Sequence, residues 1–206
     1  MSIIDLEAQV TLIDLSKHNL QSAKGRIEKI LHTCAEGTKT INEVLKAAKE
    51  GKITLREADL NSLVNQWMLP FNNAIREKDI KLSLRPGENM EKIFISAPLI
   101  RQAFQNVCLN AIKEIGIGDA LVIVTSQSNS ETWIEIRDGG PGFPSELLGR
   151  RRPPFIVEGK KEKGLGLTIV HRIMQLHQGR LELGKSPEKG ANVRLIIPKK
   201  IKICEK

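Results

Sequence analysis

Tyrosine is absent from this chain, and five phenylalanines and two tryptophans are its only aromatic residues. A core must therefore be aliphatic, and the aromatic platforms on which single-stranded nucleic acid stacks are nearly missing. Cysteine is scarce too. Cys34, Cys108 and Cys204 are far apart and odd in number, which excludes a disulfide framework and a four-cysteine metal site. No apolar run approaches the roughly 18 residues that a membrane helix needs, so no membrane segment is expected. The opening MSIIDLEAQV carries acids and lacks the basic-then-apolar order of a signal peptide, so the expected location is a reducing cytoplasm. Charge leans one way, at a formal +8 over 206 residues. The basic residues are spread along the chain, which speaks against a nucleic-acid surface and suits nucleotide phosphates or an acidic protein partner.

What is present divides near Gly51. Residues 3–34 read as one long helix, with apolar side chains at Leu6, Val10, Ile13, Leu20, Ile27, Leu31 and Cys34 in steps of three and four. A second helix is expected over 38–50, with Ile41, Val44, Leu45 and Ala48 on one side and Gly51 as its cap. A hairpin this thin buries its seam best by dimerising into a four-helix bundle. Beyond it the pattern predicts a helix over 59–77, strands at 80–84 and 92–96, and a helix over 97–115. Strands at 120–127 and 132–138 form a hairpin, a helix runs from 164 to 177, and strands at 179–183 and 191–198 close the chain. The expected fold class is α+β. It is a two-layer sandwich, a mixed sheet covered by helices on one face, preceded by the dimerising α-helical hairpin. The expected domains are 1–51 for dimerisation and 52–206 for the sandwich.

Four stretches carry chemistry. The helix LIRQAFQNVCLNAIKEI places Asn106, Asn110 and Lys113 on one face at i, i+4 and i+7. An amide oxygen is a hard ligand suited to Mg²⁺, and an ammonium suits phosphate. DGGPGF, at 138–143, leaves the strand TWIEIR and gives up nearly every side chain except one carboxylate. A turn needs no more than that, but so does a backbone lying against a ligand. KGLGLTIV puts Gly164 and Gly166 at the start of a helix, where free N–H groups and the helix dipole favour an anion. GANVRL opens the last strand with Gly190.

Together, in this order, these stretches resemble the catalytic core of sensor histidine kinases, whose ATP-binding fold is shared with gyrase, mismatch-repair and heat-shock chaperone ATPases. QNVCLNAIK resembles the asparagine box, DGGPGF the first glycine box, PPF (153–155) the phenylalanine box and GLGLTIV the second glycine box. The resemblance implies that Asp138 accepts a hydrogen bond from the adenine amino group of ATP, with Gly140 and Gly142 letting the chain approach the base. It implies that Asn110 holds Mg²⁺, with Asn106 and Lys113 near the phosphates. Phe155, Gly164, Leu165, Gly166, Leu167 and Gly190 would complete the nucleotide site. Arg150, Arg151, Arg152, Lys160, Lys161 and Lys163 would belong to a lid. Gyrase-like members carry a water-activating glutamate four residues before the magnesium-binding asparagine. Asn106 stands there instead, so the phosphoryl group is expected to go to a protein nucleophile.

Histidine suits that role, because a neutral imidazole nitrogen is available near pH 7. His18 lies mid-helix beside the seam, in HNLQSAKGRI, which resembles the phospho-acceptor box in its leucine and isoleucine spacing. Asn19 replaces the acid that usually follows, Ala23 the usual proline, and Glu162 the first glycine of the second glycine box. His177 fits a structural position. The resemblance thus implies a homodimeric, two-component protein histidine kinase that autophosphorylates His18 and passes the phosphoryl group to a response-regulator aspartate. Two alternatives stay open. One is a relay or phosphatase-type homologue without autokinase activity, the other an anti-sigma-type serine kinase.

Overall fold

The computed structural model describes residues 53–145, 148 and 165–200, together with Thr11, Leu20, Gln21, Lys24, Gly25 and Ile27. The chain divides into two compact units, Met1–Glu50 and Gly51–Lys206. In the first, the six described residues are helical, and Leu20 and Ile27 are 70% and 43% exposed.

The second unit opens with the short strand β1 (Arg56–Ala58) and the helix α1 (Leu60–Met68). Asp59 caps α1, its Oδ1 accepting from the backbone N–H groups of Asn61 (3.0 Å) and Ser62 (3.2 Å). The bond from Ser62, foremost among several, holds its carboxyl below the usual range. Leu60, Val64, Trp67 and Met68 share the buried face, and the Trp67 ring lies 5.8 Å from that of Phe104. The continuous helix expected over 59–77 is instead broken. Leu69–Phe71 tightens into a 3₁₀ turn before α2 (Asn72–Glu77). Pro70 is the cause, since its ring removes an N–H and crowds the preceding turn.

Strands β2 (Lys81–Arg85), β4 (Ala120–Gln127), β5 (Glu131–Asp138), β6 (Arg180–Lys185) and β7 (Ala191–Pro198) form one sheet in the order β2-β4-β5-β7-β6. Only β2 and β4 are parallel, so the sheet is mixed as expected. The strand at 92–96 appears as β3 (Ile93–Ile95), but it pairs with β1 in a separate two-stranded ribbon. β1 was not expected, because three residues are too short to show an alternation.

Helices α3 (Ala97–Glu114) and α4 (Leu165–Leu176) complete the second layer. Ile134 and Ile136 of β5, Val193 and Leu195 of β7 and Leu181 of β6 are buried, as are Phe104, Val107, Val170 and Ile173 of the two helices. On alternate positions of β5, Glu135 is buried too. Burial alone would raise its carboxyl, but donors from Arg137, Asn192 and Arg194 outweigh that and hold it below the usual range.

α3 is fastened at both ends. At its start, the Ser96 N–H donates to His177 Nε2 at 3.0 Å, while His177 Nδ1 donates to the Ile173 carbonyl at 2.8 Å. This fixes the tautomer and bears out the structural reading of His177. Burial lowers the imidazole's pKa, outweighing the bond to Ile173. At its end, Lys78 Nζ donates to the carbonyls of Ile112 (2.8 Å), Lys113 (3.2 Å) and Ile115 (3.0 Å). An ammonium there also meets the negative end of the helix dipole.

Candidate nucleotide site

A hollow lies where the last turns of α3 meet the end of β5, the start of β7 and the first turn of α4. Val107, Ala111, Ile136, Leu167 and Val193 make its lining largely apolar. Asn110, Glu114 and Asp138 supply polar side chains, and Gly142 and Phe143 border it.

Asp138 is the junction. Its Oδ1 accepts from the N–H of Gly140 at 3.0 Å and of Ala191 at 2.9 Å. Its own carbonyl accepts from the Gly190 N–H at 3.1 Å. Among the described residues no hydrogen bond engages Oδ2. Burial pushes the carboxyl above its ordinary range despite the two backbone donors, and the charge of Glu114 pushes the same way.

The glycines around Asp138 are explained first by the protein itself. A Cβ on Gly190 would lie 2.1 Å from Asp138 Oδ1 and 2.5 Å from the Gly140 nitrogen, so only glycine fits. Gly142 has φ +77°, and a Cβ there would come within 3.2 Å of the Gly190 carbonyl. A Cβ on Gly140 would be 3.2 Å from both Asp138 Oδ1 and the Glu114 carbonyl. The resemblance implies that Gly140 and Gly142 also let the chain approach a base. The structure shows two backbone segments closing on one carboxylate.

At the other end of the hollow, a Cβ on Gly166 would stand in ordinary contact, 3.5 Å from Asn110 Nδ2. The first turn of α4 therefore lies beside the exposed amide of Asn110, and a helix start favours an anion through its dipole. One turn back, Asn106 has a buried Nδ2 without a hydrogen-bond partner. An unused donor, an open amide and a helix N-terminus suit an oxygen-rich anion. Among the described residues no group of three or more His, Cys, Asp or Glu could hold a metal ion.

The structure thus brings Asn110, Asp138, Gly142 and Leu167 to one hollow, with Gly140, Gly166 and Gly190 in contact with their neighbours. Lys113 is exposed, and it is Glu114, not Lys113, that lines the hollow. Leu165 opens α4. His18, Asn19, Phe155, Gly164 and the basic stretch 150–163 lie outside the described residues. Sequence reasoning missed Glu114, Phe143 and Lys78. Glu114 did carry a signal, since it continues the four-residue step from Asn106 and Asn110.

Residues 95–201, over half of the chain, match the family described as histidine kinase-, DNA gyrase B-, and HSP90-like ATPase. The sensor histidine kinase ZraS of Escherichia coli (strain K12) is 26% identical over 160 residues, covering 78% of this chain and 34% of its own length. Sporulation kinase C of Bacillus subtilis (strain 168) is 29% identical over 170 residues, covering 78% of this chain and 38% of its own. The chain thus spans little more than a third of these curated relatives. The catalytic domain of histidine kinase ThkA superposes with a TM-score of 0.63 at 25% identity, over 71% of this chain and 99% of that one. A complex of ThkA with the response regulator protein TrrA gives 0.64 at 20% identity, over 96% and 59%. No described helix is long and apolar enough to cross a membrane.

Proposed function

The chain belongs to the histidine kinase-, DNA gyrase B-, and HSP90-like ATPase family, and on that premise we propose that it is a protein histidine kinase of a two-component system. It binds ATP with Mg²⁺, moves the γ-phosphoryl group to His18 and passes it to an aspartate of a response regulator.

The observation that carries this reading is the clasped Asp138. One carboxylate oxygen is held by two backbone donors and the other is left for a ligand, in a hollow whose far end has Asn110 and a helix N-terminus. Oδ2 would accept from the adenine amino group, and the apolar lining would hold the base. Asn110 would hold Mg²⁺, and Asn106 would donate to phosphate oxygen. Bound Mg²⁺ supplies charge neutralisation to the triphosphate. The chain's own part is positioning, which suits phosphoryl transfer. Asn106 cannot activate water as a carboxylate can, which supports transfer to protein over hydrolysis.

The first unit supports the acceptor role. Leu20 and Ile27, which belong to the apolar seam, are exposed in the single chain, as a helix awaiting its twin would have them. A homodimer through residues 1–51 would cover them and carry His18. The neighbour solved with a response regulator suggests the receiving partner.

Incubation with Mg²⁺ and γ-labelled ATP, wild type beside His18→Gln, tests the reading. An acid-labile, base-stable label is expected in the wild type and none in the variant. Nucleotide binding without any label would instead mean that Asn19, in place of an acid, marks a relay or phosphatase-type protein.

A further inference from the structure

The turn that joins β6 to β7 is held by its side chains as well as its backbone. Ser186 begins it, and the Lys189 N–H closes it on the Ser186 carbonyl at 3.1 Å. The Ser186 N–H donates to the Gly190 carbonyl at 2.9 Å. Ser186 Oγ accepts from the Glu188 N–H at 3.0 Å and donates to Glu188 Oε2 at 2.7 Å. A serine hydroxyl often serves the backbone of its own turn. This one also engages a carboxylate, and its residue is buried. Lys189 has φ +81°, in the left-handed region that favours glycine. A lysine keeps such a conformation only where its surroundings over-determine it, and residues of this kind gather at functional sites.

The chain leaves this turn straight into the clasp. The Gly190 N–H donates to the Asp138 carbonyl and the Ala191 N–H to Asp138 Oδ1. The turn also rests on the loop after Asp138, where a Cβ on Gly139 would lie 3.4 Å from the Glu188 carbonyl. The Ala191 N–H meets Oδ1 only if the chain leaves the turn in one direction. The Ser186–Glu188 ring and the left-handed Lys189 set that direction. A carboxylate is planar, so the hold on Oδ1 decides where Oδ2 points. We propose that Ser186, acting with Glu188, is a positioning residue for base recognition, aiming Asp138 through Ala191. This rests on the reading above, in which Asp138 accepts from the adenine amino group. Ser186 itself touches no nucleotide on that reading. Its effect is on selectivity, because a small misdirection of the recognising group weakens the contact that tells one base from another.

The test is calorimetric titration of the full chain, in Mg²⁺, with ATP and inosine triphosphate, whose base carries a carbonyl where adenine carries its amino group. Wild type is set beside Ser186→Ala and Ser186→Thr. Wild type is expected to bind ATP about tenfold more tightly, the worth of one charge-assisted hydrogen bond. Alanine should lower that ratio about threefold, the scale of one neutral hydrogen bond. Threonine, which keeps the hydroxyl, should restore it. An unchanged ratio in the alanine variant overturns the proposal. So does an equal loss of both nucleotides, the mark of a merely structural role. Should the alanine variant not fold, Glu188→Ala removes the acceptor of the hydroxyl and leaves the serine in place. A fall in the same ratio then supports the proposal, and an unchanged ratio overturns it. A wild type that binds the two nucleotides equally removes the reading of Asp138 itself, and this proposal with it. That result differs from a selective wild type whose variants are equally selective.

Discussion

Gly190 shows how narrow the tolerances are around Asp138. An alanine methyl would sit 2.1 Å from Oδ1, against a backbone and a hydrogen-bonded carboxylate that cannot give way cheaply. Gly190→Ala is expected to unhook Asp138 from Ala191 and cost about 2–4 kcal/mol, read as a lower urea midpoint, together with loss of nucleotide binding. A variant as stable as wild type would contradict this account of the glycine. At this scale much was legible. Asp138, Asn110, Gly166 and Gly190 stood out because a lone carboxylate among glycines, glycines opening a helix or strand, and an amide on a largely apolar helix each call for a reason. Glu114 and Lys78 did not stand out. They are ordinary charged residues, and only the packing of α3 gives them a place.

At the scale of elements, α3 holds the site because it is pinned by His177 at one end and Lys78 at the other. His177 makes that pin depend on pH. Its folded pKa lies below the ordinary 6.5, so the unfolded chain binds the proton more readily. Its contribution is fully present above about pH 6.5 and is lost as pH falls toward the folded value. Urea midpoints are therefore expected to drop between pH 7.5 and pH 5.5, and to drop less in His177→Gln, which cannot titrate. Equal pH slopes in the two proteins would refute this. Asp138 acts in the opposite sense at lower pH, since its raised value favours proton uptake by the folded chain above the ordinary 3.8. Helix α3 and the strands β4, β5 and β7 were legible from periodicity alone. The break at Pro70 was legible in principle, from the missing N–H. The β1–β3 ribbon was not, because short strands are defined by their partners and not by their own pattern.

For the whole molecule, the sheet order β2-β4-β5-β7-β6 joins residues distant in sequence, and the hollow draws on α3, β5, β7 and α4 together. Nucleotide can bind only when all four are in place, so it should stabilise the folded unit as a whole. Mg²⁺ with ATP at a hundredfold excess over Kd is expected to add about 2.7 kcal/mol to unfolding, seen as a rise in Tm. No rise with ATP would count against the site. The mixed two-layer architecture could be expected from the order of helices and strands. The parallel pairing of β2 with β4 could not, because that choice is made by packing across the sheet.

The clasp on Asp138 has one further consequence, and it concerns entropy. A carboxylate on a free side chain must surrender its rotamers when it grips a ligand. Here Gly140 and Ala191 already immobilise it through Oδ1. Folding has met that ordering cost in advance, and on the proposed reading Oδ2 would meet a nucleotide from a fixed position.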